Sequence, residues 1–357
     1  MTLEEAARVA IRQSLAVQPG ERVVIVTNPE PDVDAISRAL YRETVAAQGL
    51  PTLLWQPVKT QLDPMEDAVR GALLSEPDVY ISMSAGKIGK DVRGAAQPYT
   101  ADGVSYDSVG SYLIHGRKRT RGFWSPGISA ELFSAAVPAD FARLKTDCGW
   151  LAERLSRAQA VRVTSPGGTE ITFAVTGRHA FVDDGDFSRP GTGGNLPAGE
   201  AYISPVVGSA SGRIVYDGSM STHEGTLLLY RPIIVEFEDG FIAQIAGGEE
   251  AEALAETIRL GEEKADELEP GRAPVYRRNA RGLGELGIGV NPLAGITGNM
   301  IVDEKAARTC HFAIGSNYDH DGPALIHLDG VVKEPTIELE LEDGSTLVLL
   351  EDGELVR

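Results

Sequence analysis

The chain has 357 residues, 42 % hydrophobic and 24 % charged, the mixture of a globular protein long enough for two domains. Its 52 acidic side chains outnumber 33 basic ones, and the resulting net charge of −19 repels phosphate backbones and argues against nucleic acid as a partner. Two cysteines far apart, Cys148 and Cys310, exclude a disulfide framework and a cysteine-rich zinc site.

In chain order, Leu3, Ala6, Ala7, Val9, Ala10, Ile11 and Leu15 recur at helical spacing, and Pro19-Gly20 stops that helix. The start, MTLEEAARVAIRQSL, is amphipathic and acidic, without the basic and apolar regions of a signal peptide. No apolar run reaches the length of a membrane span, so the expectation is a cytoplasmic protein with no membrane partner. RVVIVT at 22–27 is apolar without alternation, as in a parallel strand buried on both faces. Asp32 and Asp34 are suited to cap a helix from Ala35 to Ala47 that ends at Gln48-Gly49. Strands follow at 51–56 and 78–83, with a helix over 63–75 between them. This βαβαβ order predicts an α/β domain with a mainly parallel sheet. The turn after the first strand, TNPEPDVD, has no glycine-rich phosphate loop. Residues 84–136 are irregular and carry a basic cluster from His115 to Arg121, read as a solvated loop. A helix over 137–158 closes the first domain, set at 1–159.

From 160 to 357 the texture turns to strands and tight turns. Hairpins are predicted around Pro166-Gly167-Gly168, Asp239-Gly240 and Asp343-Gly344, with one acidic helix over 249–267. The expected second domain is therefore a β-rich α+β domain, mainly antiparallel.

Four segments of this half carry residues fit for chemistry. In ALIHLDGVV, His327 and Asp329 sit two apart on a strand and project from one face, a half-site for a divalent metal. Taken alone, such a pair is more often a hydrogen-bonded structural couple. His311 opens the apolar run HFAIG after the polar turn Val302–Lys305, and alone it reads as a core histidine. Glu285 stands among glycines in GLGELGIG, where glycine in a strand marks close approach of another group. Glu200 ends the turn GNLPAG and begins a strand, the place of an ordinary surface residue. Together, two histidines and three carboxylates emerge from turn–strand junctions of one domain. That mixed set suits borderline divalent metals and is sufficient for two ions sharing a carboxylate.

The segments NLPAGEAYISP, GELGIGVNP, DEKAARTCHFAIG and IHLDG together resemble the M29 metallo-aminopeptidases, the aminopeptidase T and aminopeptidase S group. The resemblance extends thinly over most of the chain and is specific in the second half. It implies Glu200, Glu285, His311, His327 and Asp329 as ligands of two divalent ions, zinc first, with cobalt or manganese as alternatives. It also implies a homodimer that releases N-terminal residues from short peptides. Tyr318 stands where the family has a tyrosine seven residues after its first ligand histidine. Its implied part is a hydrogen bond to the developing oxyanion, with Glu285 or Glu200 as proton shuttle. The chain is short for that family, and its stretch between His311 and His327 is tight, which bears on specificity more than on metal binding. A second group with this fold, the mononuclear iron dioxygenases that open 2,5-dihydroxypyridine, has an HxD pair like His327-Leu-Asp329. Histidine is expected there where this chain has Glu285, so Glu285 favours the peptidase. A metal-stabilised binding protein without catalysis is the third reading. Of the other histidines, His320 is placed for contact with the ligands and His223-Glu224 for substrate contact; His179 and His115 are read as structural or exposed.

Overall fold

The run RVVIVT forms the strand Arg22–Thr27, buried at every residue after the first, as its unbroken apolar character requires. The computed structural model describes residues 1–60, 63–268 and 271–357, and in it the chain divides into two units. The first comprises Met1–Lys145 and Asp183–Ala198, the second Thr146–Val182 and Gly199–Arg357. The strand Ala158–Thr164 belongs to the second unit.

In the first unit a parallel five-stranded sheet runs in the order Gly193–Asn195, Arg121–Trp124, Val79–Met83, Arg22–Thr27, Leu50–Trp55. The first helix, Leu3–Val9, begins with a capping box between Thr2 and Glu5 and continues as a π-helical turn, Ala10–Ser14. The next helix, Pro31–Ala46, starts earlier than its acidic residues suggest. Pro31 takes the first helical position, and Asp32 and Asp34 lie in the first turn, where they favour the helix dipole rather than cap it. The basic cluster is also more than a solvated loop. Arg121 begins a central strand and is buried, because its guanidinium meets the Leu15 carbonyl at 2.8 Å and the Glu21 carboxylate at 2.6 and 2.9 Å. A charge with both halves of its fork occupied can be buried without a large penalty.

The second unit holds two antiparallel sheets. The eight-stranded one runs Phe241–Ala246, Ile233–Glu238, Ser211–Tyr216, Glu170–Ala174, Ala158–Thr164, Thr336–Leu341, Thr346–Glu351, Glu354–Leu355. All three predicted hairpins lie in it. The seven-stranded one runs Gly225–Leu228, Ser219–Thr222, His327–Lys333, Thr309–Gly315, Leu283–Gly289, Glu200–Ile203, Phe181–Asp183. Phe173 of the larger sheet meets Phe312 of the smaller edge to face at 6.2 Å, which marks the core between them. The fold is therefore an N-terminal α/β layer with a parallel sheet, followed by β-rich antiparallel sheets. No helix among the described residues is long and apolar enough to cross a membrane.

Candidate metal centre

Residues directly opposed across an antiparallel ladder share a face of the sheet. In the seven-stranded sheet Glu200 opposes Gly289 and Tyr202 opposes Gly287. Gly287 in turn opposes His311, and Glu285 opposes Ala313. Ala313 opposes Asp329, and Gly315 opposes His327. One face thus carries Glu200, Tyr202, Glu285, His311, His327 and Asp329, while Leu286, Ile288, Phe312 and Leu328 lie on the other, buried. Glu285 reaches that face through an irregularity: the ladder slips between Leu283 and Glu285, and the bulge falls on Gly284. A side chain there would meet the Ser316 carbonyl oxygen at 2.5 Å.

The glycines of GLGELGIG make the room that the site needs. A Cβ on Gly287 would lie 2.1 Å from the His311 imidazole, and one on Gly289 would lie 2.2 Å from the Ala306 carbonyl oxygen. The ring and the chain at Ala306 therefore lie directly over the strand.

The five side chains converge. His327 Nε2 is 2.9 Å from one oxygen of Glu285 and 3.2 Å from Asp329. His311 Nε2 is 3.7 Å from the other oxygen of Glu285 and 3.5 Å from Glu200 Oε2. Glu285 thus stands between two imidazoles and offers an oxygen to each. His327 donates its Nδ1 proton to the Ser316 carbonyl at 2.8 Å, which leaves Nε2 for the centre. Glu285, His311 and Asp329 place ligand atoms within 4.8 Å of one another.

Burial of so many charges shifts their protonation. Burial opposes the charged form of His311, but Glu285, Glu200 and Asp329 outweigh it and push the imidazole up to about 9. His327 is likewise driven well above its ordinary range against burial, by Asp329 and Glu285. Asp329 and Glu285 are held below the usual carboxylate range, because the two histidines outweigh their burial. Glu200 moves up: burial dominates, and Lys305 only partly opposes it.

These residues fit a divalent metal. Glu200 Oε2, which faces His311 Nε2, is buried with no hydrogen-bond partner, and such an orphaned polar atom is costly unless something else satisfies it. The spacings around Nε2 of both histidines are near the roughly 3–3.5 Å that separates neighbouring donors on an ion with bonds of about 2.1 Å.

Tyr318 lies at the rim, its ring edge-on to His327 at 5.4 Å and next to Tyr202 at 4.9 Å. Its loop is fastened by Arg178, which pairs with Asp321 at 2.7 Å and Asp319 at 3.5 Å, and by Ser204, which accepts the Tyr318 N–H. The charge of Glu285, then burial, pushes the phenol well above its ordinary value, so it keeps its proton.

The remaining histidines stand apart from this chemistry. His320, in a left-handed backbone conformation, is exposed. His223 is tied to Thr257 through its ring and its backbone N–H, His179 stacks edge-on against Phe181, and His115 belongs to the first unit. Two neighbours escape a reading of the sequence. Tyr202 was accessible to it, being two residues from Glu200 on the same strand. Lys305 was not: it looks like part of a polar turn, yet it is fully buried, with its ammonium 2.5 Å from Glu200 Oε1 and 2.7 Å from Glu304.

Known proteins place this arrangement. No curated protein sequence matches the chain. A solved structure of the 2,5-dihydroxypyridine dioxygenase from Pseudomonas putida KT2440 superimposes with a TM-score of 0.72 at 18 % identity, over 99 % of this chain and 96 % of that one. AmpT from Thermus thermophilus, an M29 aminopeptidase T, superimposes with a TM-score of 0.68 at 18 % identity, over 99 % of both chains. The resemblance to the M29 group therefore holds for the fold, which the dioxygenase shares. The family model described as NicX: 2,5-dihydroxypyridine 5,6-dioxygenase matches residues 130–356, well over half of the chain, and the chain belongs to that family.

Proposed function

We propose that the chain is a metal-dependent aminopeptidase acting on the free N-termini of short peptides. The observation that carries this reading is Glu285: its two oxygens face two different histidines, and each histidine has a further carboxylate beside it. His327 and Asp329 with one oxygen of Glu285 would hold one ion; His311 and Glu200 with the other oxygen would hold a second. The nitrogen and oxygen donors suit zinc, with cobalt or manganese as alternatives. Bound there, such ions supply Lewis acidity towards a carbonyl oxygen and lower the pKa of a coordinated water to about 7.

The chain's own groups do the rest. Tyr318 keeps its phenolic proton and is placed at the rim to donate it in a hydrogen bond to the oxygen that gains charge. Of the two carboxylates the sequence offers as proton shuttle, Glu200 is the one left for the part, since both oxygens of Glu285 face the histidines of the two subsites. The free α-amine of a peptide would bind the second ion or one of the carboxylates, which restricts cleavage to chain ends. A homodimer in the cytoplasm belongs to the same reading, and light scattering checks the dimer.

A second reading has its own support. His311, His327 and Asp329 make the two-histidine, one-carboxylate set of non-haem ferrous oxygenases, and Lys305 compensates the charge of Glu200. Family membership favours it as well. The deciding experiment strips the protein with chelator and restores zinc, cobalt, manganese or ferrous iron in turn. Release of p-nitroaniline from leucyl-p-nitroanilide, but not from its N-blocked form, supports the peptidase. Absence of that release with iron-dependent oxygen uptake on 2,5-dihydroxypyridine overturns it in favour of ring opening. Tight metal uptake without turnover of either substrate leaves a binding protein.

A further inference from the structure

The chain buries a complete ammonium group against a candidate metal ligand. Lys305 is 0 % exposed, and its Nζ lies 2.5 Å from Glu200 Oε1 and 2.7 Å from Glu304 Oε1. Taking an ammonium out of water is expensive, and good pairing is what makes it tolerable. Lysine is also a poor choice for mere structure here, because its long stem must be ordered as well as desolvated.

The backbone shows that this position is built. The turn before it is held by Asp303, whose carboxylate accepts from the backbone N–H groups of Thr297 and Gly298 at 2.7 and 3.0 Å. The Lys305 carbonyl accepts from Asn291 N–H at 2.8 Å, and Ala307 N–H returns to the Asn291 carbonyl at 3.0 Å. Gly289, the ladder partner of Glu200, has no side chain, so the chain at Lys305 and Ala306 passes directly over that strand. Three separate features thus bring Nζ to the same carboxylate.

The consequence for Glu200 is asymmetric. Oε1 is occupied by the ammonium, while Oε2 is buried without a hydrogen bond and faces His311 Nε2 at 3.5 Å. An ion at Oε2 would share one carboxylate with a fixed positive charge only a few ångströms away. Like charges that close, away from water, repel strongly. Among the described residues no lysine or arginine forms an ion pair with His327 or Asp329, although the charge of Lys305 also reaches Asp329 from further off.

We propose that Lys305 is a resident cation of the centre: it holds Glu200 in the metal-free protein and competes with the second divalent ion for that carboxylate. The two subsites are therefore unequal. The one built on His327, Asp329 and Glu285 binds tightly, and the one built on His311 and Glu200 binds more weakly and exchanges. This rests on the two-ion reading above.

The test is zinc titration of the metal-free full chain by calorimetry, with metal content measured after dialysis. In Lys305→Met the second affinity rises tenfold or more, the first stays within threefold, and the metal-free protein melts at a lower temperature. Because that variant leaves the half-buried Glu304 without its partner, the double variant Lys305→Met with Glu304→Gln is measured beside it. The double removes opposite charges together and keeps the raised second affinity. Two ions in the wild type, with the second affinity unchanged or weaker in both variants, overturns the proposal and leaves the metal reading intact. Zinc bound by none of the three proteins overturns the metal reading, and this proposal with it.

Discussion

The imidazole of His311 lies over the backbone of Gly287, so close that a Cβ on the glycine would be 2.1 Å from Nε2. Real side-chain contacts do not reach that distance, so any other residue at 287 must displace the ring or the strand. Gly287→Ala is therefore expected to cost about 1–3 kcal/mol through overpacking and to weaken zinc binding more than tenfold. Thermal melts and zinc titration of the same preparation read both effects. A variant with unchanged zinc affinity would mean that His311 is not a ligand.

Metal uptake should release protons. Buried carboxylates outweigh burial and push His311 up to about 9 and His327 well above its ordinary range. At pH 7 both rings are protonated, and a metal can bind only by displacing those protons. Affinity thus rises as pH rises through about 9, where His311 gives up its proton, and falls steadily below it. Calorimetry in two buffers of different ionisation heat measures the release; zero release at pH 7 contradicts the prediction. The same shift gives the metal-free protein stability that is present in full below the unfolded histidine value. That stability is lost as pH rises through about 9.

Tyr318→Phe removes one hydroxyl from the rim and leaves the five candidate ligand side chains untouched. If the phenol donates to the developing oxyanion, kcat on leucyl-p-nitroanilide should fall about 10²-fold with zinc content unchanged. A drop in zinc content equal to the drop in rate would make Tyr318 a support for the metal instead.

Asp91 is the polar keystone of the first unit's irregular stretch. Its buried carboxylate accepts from Gly94 N–H at 2.8 Å, Val109 N–H at 3.0 Å and Tyr99 at 2.9 Å, and pairs with Arg70 at 3.2 Å. Asp91→Ala should cost about 2–4 kcal/mol, since several donors lose their acceptor at once. Burial raises this carboxyl, but its four partners outweigh burial and hold it below the usual carboxylate range. Its contribution is therefore complete above the unfolded aspartate value and is lost as pH falls through the lower, folded one. Denaturant titrations of wild type and variant should differ at pH 7 and converge in strong acid.

Much of this architecture is written in local pattern. RVVIVT specifies a doubly buried strand, Asp239-Gly240 a hairpin with both residues at positive φ, and His327-Leu-Asp329 a pair on one face. Each depends only on period, turn chemistry or alternation, which act over a few residues. Arg121 was misread for the opposite reason. Its character is set by Glu21, a hundred positions away, and nothing in a basic run announces which member will be paired.

The site divides along the same line. Glu200, Glu285, His311, His327 and Asp329 were legible as candidates through four short segments and their resemblance to the M29 group, since 52 acidic side chains and six histidines leave residue type alone unselective. That they share a face was not. In the sequence Leu283 and Glu285 are two apart and would point the same way. The bulge at Gly284 turns Leu283 to the core beside Ile314 and Glu285 to the site beside Ala313. The burial of Lys305 against Glu200 was equally out of reach, since it arises where a turn crosses a distant strand at Gly289. Ligand chemistry belongs to residue types, and short motifs make it legible once several are taken together. Register and buried charge pairing belong to contacts between segments, and only the folded chain decides them.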